Sequence, residues 1–245
     1  RCARSVQTLT EIPMNTIEDI HAAFLKAITE DTIESPALKQ LVASDDKITI
    51  IISDMTRFWM HQDIICEELV RYLNEAIGIP FEHIVILIGL GTHHKNTPAD
   101  QKVLTGAYVY DHVAAVVDHD CDAPDLVDIG TTSYGTRVWI NPLAVGRKVI
   151  CIGGTVHHLM AGYAAAERVS FPVLPAVKLS GTTMPWPWIL TASKAIRESV
   201  PANSTITRSM KTCVKQVHCF ISLRHQYCCQ LASRHSGLFC GDFDA

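Results

Sequence analysis

The sequence predicts an α/β domain: a mostly parallel sheet with helices on both faces, followed by an irregular C-terminal tail. Three observations carry this. Runs such as ITIIIS at 48–53 and IVILIG at 84–89 are apolar without alternation, the pattern of strands covered on both faces. Segments with helical spacing separate them, giving strand–helix–strand units. Polar and glycine residues crowd the ends of these runs, at the carboxyl edge where open parallel sheets bind ligands.

Taken in order, Asn15–Glu18 has the shape of a capping box, and Ile17, Ile20, Ala23, Phe24 and Ile28 follow at helical spacing to about Thr29. A shorter helix is expected over 36–43, with Ser35 as cap and Pro36 at its first position. The first central strand runs from Lys47 to Asp54. Helical spacing from Gln62 to Ile77 closes at Gly78. A second strand over 84–91, a helix after Thr97-Pro98 and a third strand over 113–118 complete a Rossmann-like pattern, to which 137–141 and 148–153 add two further strands. After Gly153-Gly154 come His157 and His158, ahead of a small-residue stretch read as helix. The pattern decays beyond about Pro185. A helical-looking 191–199 is readable, but 210–245 shows no sustained period, and poor order is expected after about Ser199.

The 245 residues are 48% hydrophobic and 19% charged, a globular composition with room for a real core. A net charge of −4 leaves no basic field to draw the chain to nucleic acid. No run reaches the roughly 18 apolar residues of a membrane span. With no signal-peptide core at the start, the expected location is the cytoplasm. The first residue is not Met, so an N-terminal piece is expected to be missing. Of nine cysteines, five fall between Cys213 and Cys240, which marks the tail as a compositional outlier. Its Cys and His residues lack paired zinc spacing, and a shifted reading frame or unrelated end is the preferred account.

Three strand ends carry the candidate chemistry. Ser53-Asp54-Met55-Thr56-Arg57 sets a carboxylate, a hydroxyl and a guanidinium directly after a buried strand. The arginine suits a substrate carboxylate held by two parallel hydrogen bonds; Asp and Thr are equally common helix caps. Gly89-Leu-Gly91-Thr92-His93-His94 begins like a dinucleotide loop but lacks the third glycine, leaving a close-approach turn followed by imidazole. Gly153-Gly154 leads to His157 and His158. Histidines on two such loops are placed to act as bases on opposite sides of one bound molecule, as inversion of a stereocentre requires; the alternative is that one of each pair is packed or solvated.

Asp54-x-Thr56-Arg57, Gly91-Thr92-His93, Asp118-His119-Asp120 with Gly130-Thr-Thr-Ser133-x-Gly135-Thr136, and Ile152-Gly-Gly-x-x-x-His158-x-x-Ala161-Gly162-Tyr163 occur in one order and spacing. Together they resemble the N-terminal domain of the nickel-pincer-nucleotide lactate racemases, over about residues 8–172. The resemblance implies a racemase or epimerase of a small 2-hydroxy acid. Hydride passes reversibly to a nickel-pincer nucleotide, with His93 and His158 as alternating bases and Arg57 on the substrate carboxylate. Asp54 and Thr56 would face the cofactor. The family continues with a glycine run and a Lys that tethers the cofactor; here Arg168 stands in that place, able to pair with a phosphate but not to form the bond. No His lies between His158 and His218, so no protein metal ligand is assigned. The domain reading is therefore residues 1–185 as the racemase-like N-terminal unit and 186–245 as a divergent tail, with the family's second domain absent. The alternative is a non-catalytic, degenerate nucleotide-binding fragment that keeps the fold without turnover.

Overall fold

The structure, a computed structural model, describes residues 17–33, 35–91, 93–131, 137–154, 156–158, 162–164, 226–231 and 238–242. In chain order, α1 (Ile20–Thr29) and α2 (Leu38–Leu41) precede β1 (Ile48–Ser53), and α3 (Gln62–Arg71) precedes β2 (Ile84–Gly89). Next come α4 (Pro98–Thr105), α5 (Ala107–His112) and β3 (Ala115–Asp118). β4 (Val127–Thr131), β5 (Arg137–Ile140) and β6 (Lys148–Gly153) follow. Short strands β7 (Val156–His158), β8 (Gly162–Ala164), β9 (Gln226–Leu231) and β10 (Leu238–Asp242) complete the described elements.

The main sheet has the order β10-β9-β6-β1-β2-β3. β1 runs parallel to both β2 and β6, β2 parallel to β3, and β9 parallel to β6; β10 alone is antiparallel. The chain steps outward from β1 to β3 and returns to pair β6 on the far side of β1. The strand order therefore reverses between β1 and β6, and a crevice is expected at their carboxyl ends.

All six residues of β1 and of β2 are buried, as their unbroken apolarity requires. Strand alternation divides them between two layers. Ile48, Ile50 and Ile52 pack with Phe24 and Ile28 of α1, Leu69 of α3, Leu104 of α4 and Val109 of α5. Ile51 faces the other way, with Leu87, Val149 and Cys151, against Val138 and Ile140 of β5 and Ala144.

The α/β class and mostly parallel sheet agree with the sequence reading, with one difference in the layers. Among the described residues, α1, α3, α4 and α5 share one face, while the opposite face is covered by β5 and the turn after it. The run at 137–140, expected as a further parallel strand, pairs antiparallel with β4 in a separate two-stranded sheet. A run with three apolar residues, Val138, Trp139 and Ile140, suggests burial but not its partner.

Smaller corrections have local causes. The first helix begins at Ile20, capped by Asp19, which accepts from the Ala22 N–H at 2.9 Å; Asn15 lies outside the described residues. The second helix is one turn, Leu38–Leu41, and Ala37 rather than Ser35 precedes it. The helix after His158 is not found at its start: β7 and β8 form an antiparallel hairpin pairing His158 with Gly162. In the tail, β9 and β10 extend the sheet where no element was expected; 191–199 lies outside the described residues. The Thr97 cap does form a capping box with Asp100, with Pro98 starting α4. Among the described residues no helix is long and apolar enough to cross a membrane.

Candidate functional site

The carboxyl ends of β1, β2, β3 and β6 share one edge of the sheet, because these strands are parallel and in register. Asp54 leaves β1 and is followed by a tight 3-10 turn, Met55–Met60. His61 then takes a left-handed conformation, φ 52° and ψ 45°, and α3 begins at Gln62. For a residue with a Cβ this conformation costs about 1–2 kcal/mol, so the turn is held by what it positions.

Asp54 is buried, 5% exposed, and both its oxygens are used. The Thr56 hydroxyl donates to Oδ1 at 2.7 Å, and the His93 ring contacts Oδ2 through Nδ1. A carboxylate only accepts, so His93 carries its proton on Nδ1 and, when neutral, leaves Nε2 free to accept another. The His93 side chain is 52% exposed, which keeps that nitrogen reachable from solvent. Arg57 Nη1 donates to Thr56 Oγ1 at 3.3 Å, and the Arg57 N–H closes on the Asp54 carbonyl at 2.9 Å. Carboxylate, hydroxyl, guanidinium and imidazole thus form one connected group.

His93 reaches Asp54 because its loop is pinned. Gly91, at φ 60°, makes the turn, and the His93 N–H bonds to Leu90 O at 3.0 Å. Beyond it, Asp118 at the end of β3 accepts from Asn96 N at 2.6 Å, Asn96 Nδ2 at 2.9 Å and Gln101 Nε2 at 3.2 Å. Lys95 donates to Asp120 at 2.7 Å and holds that carboxyl below its usual range, aided by the Asp122 N–H. Because the folded value is lowered, this contribution is complete above the ordinary carboxylate pKa and fades as pH falls through the lower folded one. Replacing Asp118 with Ala is expected to lower the unfolding free energy by about 1–3 kcal/mol, the cost of stranding polar partners. The same change should speed amide exchange at Asn96, read by hydrogen–deuterium exchange.

The structure brings four of the six sequence-derived site residues together: Asp54, Thr56, Arg57 and His93. His158 ends β7, five residues after β6 closes at Gly153; β6 itself flanks β1 on the side opposite β2, the strand that leads to His93. Arg168 lies outside the described residues, as do Thr92 and the Thr132–Thr136 part of the fourth-strand motif. The sequence reading assigned no site role to Gln62 or Asp118. The available signal was a polar residue opening the apolar face of α3 and an acid ending an apolar strand. For cation chemistry, Asp120, Cys121 and Asp122 bring ligand-type atoms within 4.8 Å of one another, but Asp120 already serves Lys95.

Comparison with known proteins agrees with this architecture. A family model described as the lactate racemase N-terminal domain matches residues 3–178. A lactate racemase from Thermoanaerobacterium thermosaccharolyticum is 25% identical over 158 residues, which is 63% of this chain and 36% of that protein. The solved lactate racemase apoprotein from the same organism aligns with a TM-score of 0.66 at 22% identity, covering 94% of this chain and 54% of that one. A solved Thermotoga maritima protein aligns with a TM-score of 0.65 at 13% identity, covering 80% and 50%. The chain thus spans between about a third and a half of the length of these relatives. With its strand-end motifs inside the matched segment and its sheet shared with these structures, the chain belongs to the lactate racemase N-terminal domain family.

Proposed function

We propose that this edge of the sheet handles a small 2-hydroxy acid, as the acid-binding and proton-transfer part of a racemase or epimerase of the lactate racemase type. The observation that carries it is the Asp54–His93 pair, which joins the ends of β1 and β2 beside Arg57, next to the strand-order reversal. Arg57 offers a planar pair of donors to the acid's carboxylate. His93, held through Nδ1, takes the hydroxyl proton on Nε2. His158, in the segment that follows β6, serves the opposite enantiomer. Trp59 is 56% exposed and three residues on from Thr56 in a 3-10 turn, where such positions eclipse; it gives the acid's side chain an apolar wall.

The nickel-pincer nucleotide implied by the resemblance is not fitted by these residues in the way the family holds it. Asp54, expected to face it, is buried, with Thr56 on one carboxylate oxygen and His93 on the other. Arg168 stands in place of the tethering Lys, and a guanidinium stays protonated and forms no such bond. The residues of this chain therefore account for recognition of the acid and movement of its hydroxyl proton, and no step is routed through the nucleotide. The same observation favours a second reading, a fragment that binds without turnover.

Titration of the purified chain with D- and L-lactate, followed by NMR, tests the site. Binding of both enantiomers is expected. Arg57→Ala should weaken it by roughly 10–100-fold, the loss of a charge-assisted pair of hydrogen bonds worth about 1.5–3 kcal/mol. Chiral analysis of lactate after co-expression with cofactor-making enzymes then separates the readings: racemisation supports the isomerase, binding alone supports the fragment, and absence of binding removes both.

A further inference from the structure

We propose that Gln62 is a positioning residue of this site: by gripping both peptide groups that flank Ser53, it fixes how Asp54 leaves β1 and so holds His93 with its proton on Nδ1. Gln62 is 1% exposed. Its Nε2 donates to Ser53 O at 2.6 Å, and its Oε1 accepts from the Ser53 N–H at 3.1 Å.

The register of β1 with β6 closes at Ile51 and Cys151, two residues short of Ser53. A carboxamide carries the same donor and acceptor as a peptide group, so Gln62 takes up Ser53 as a neighbouring strand residue would. This happens where the sheet opens toward the crevice, immediately before the buried carboxylate. The left-handed turn at His61 is what returns the chain so that the first residue of α3 meets the last of β1. A strained turn, a buried amide with both ends engaged and a carboxylate with both oxygens engaged form one continuous support, ending at the only ring nitrogen of His93 left free by Asp54. If Gln62 merely closed a strand end, its loss would lower stability and leave the ring of His93 as it was.

The proposal rests on His93 acting as the base, yet its test needs neither acid nor turnover. The whole chain is labelled with ¹⁵N-histidine, and long-range ¹H–¹⁵N correlation at a pH where the ring is neutral reads which nitrogen carries the proton. In the wild type a single Nδ1-protonated form of His93 is expected. Gln62→Met, close in volume but without the amide, should replace it by a mixture of the two tautomers, the separate resonance of bare Nε2 being lost. His61→Gly keeps the left-handed turn without the ring and should leave the His93 tautomer unchanged. If Gln62→Met does not fold, Gln62→Asn, one methylene shorter, is read in the same way.

A wild-type ring with mixed tautomers, or a folded Gln62 variant with the wild-type tautomer, overturns the proposal. A chain whose His93 tautomer follows Gln62 but which binds no 2-hydroxy acid loses the functional reading and keeps the positioning.

Discussion

Asp54→Ala is expected to reduce 2-hydroxy-acid racemisation, the activity proposed for this site, by roughly 10²–10⁴-fold in kcat, while affinity for the acid changes much less. In that proposal the carboxylate does two things for His93: it selects the tautomer and stabilises the imidazolium that forms when the hydroxyl proton arrives. Without it the half-exposed ring rotates in solvent and offers either nitrogen. Arg57, the proposed carboxylate clamp, is untouched by the substitution, so the loss falls on the proton-transfer step rather than on binding, and kcat and KM separate accordingly. Asp54→Asn should fall between the two. An amide can accept from Nδ1–H only by turning its NH₂ toward Thr56, and the Thr56 hydroxyl then loses the oxygen to which it donates. Steady-state kinetics of both variants, with NMR titration of the acid, would show this order; equal loss in kcat and affinity would place Asp54 in substrate binding instead.

The contrast between Asp54 and its supports shows what could be read from the residues alone. β1, β2, β3 and β6 were legible because strands buried on both faces leave no alternation to misplace, and the site followed because polar residues directly after such strands have one edge on which to gather. Asp54, Thr56 and Arg57 sit within four positions of one another, and His93 follows the next strand in the sheet. What was not legible depends on partners distant in sequence. Gln62 looks like an ordinary first helical residue until its amide is seen on Ser53. The apolar run at 137–140 gave no sign that it would cross beneath the sheet as a hairpin. The small residues after Ala161 suit a helix by propensity, yet Gly162–Ala164 pairs with β7, tertiary context overriding a weak local preference.

Arg147 is the strongest case of this kind, and it supplies the largest stability effect expected of a single polar substitution in the described residues. It lies at the amino edge, opposite the site, between Gly146 and the start of β6, where the sequence alone names no partner for it. Its Nη2 donates to Ile48 O and His83 O, each at 2.7 Å, and its Nε to Thr49 Oγ1 at 2.8 Å. Thr49 passes its own hydroxyl on to Leu143 O at 2.6 Å. One guanidinium thus ties the entries of β1, β2 and β6 to the turn beneath the sheet. Burial lowers its pKa from the usual arginine value, yet it remains charged because the fork meets three acceptors. Arg147→Met, similar in length and apolar, should cost about 3–5 kcal/mol in urea-induced unfolding, since two backbone carbonyls and a buried hydroxyl lose a donor together. Arg147→Lys should recover less than half of that, because a single ammonium cannot span two acceptors on β1 and a third just before β2. If the sheet edge is held as described, amide exchange should rise first at Ile48 and Lys148, while the amides of Ile52 and Ser53 at the far end of β1 stay protected until global unfolding.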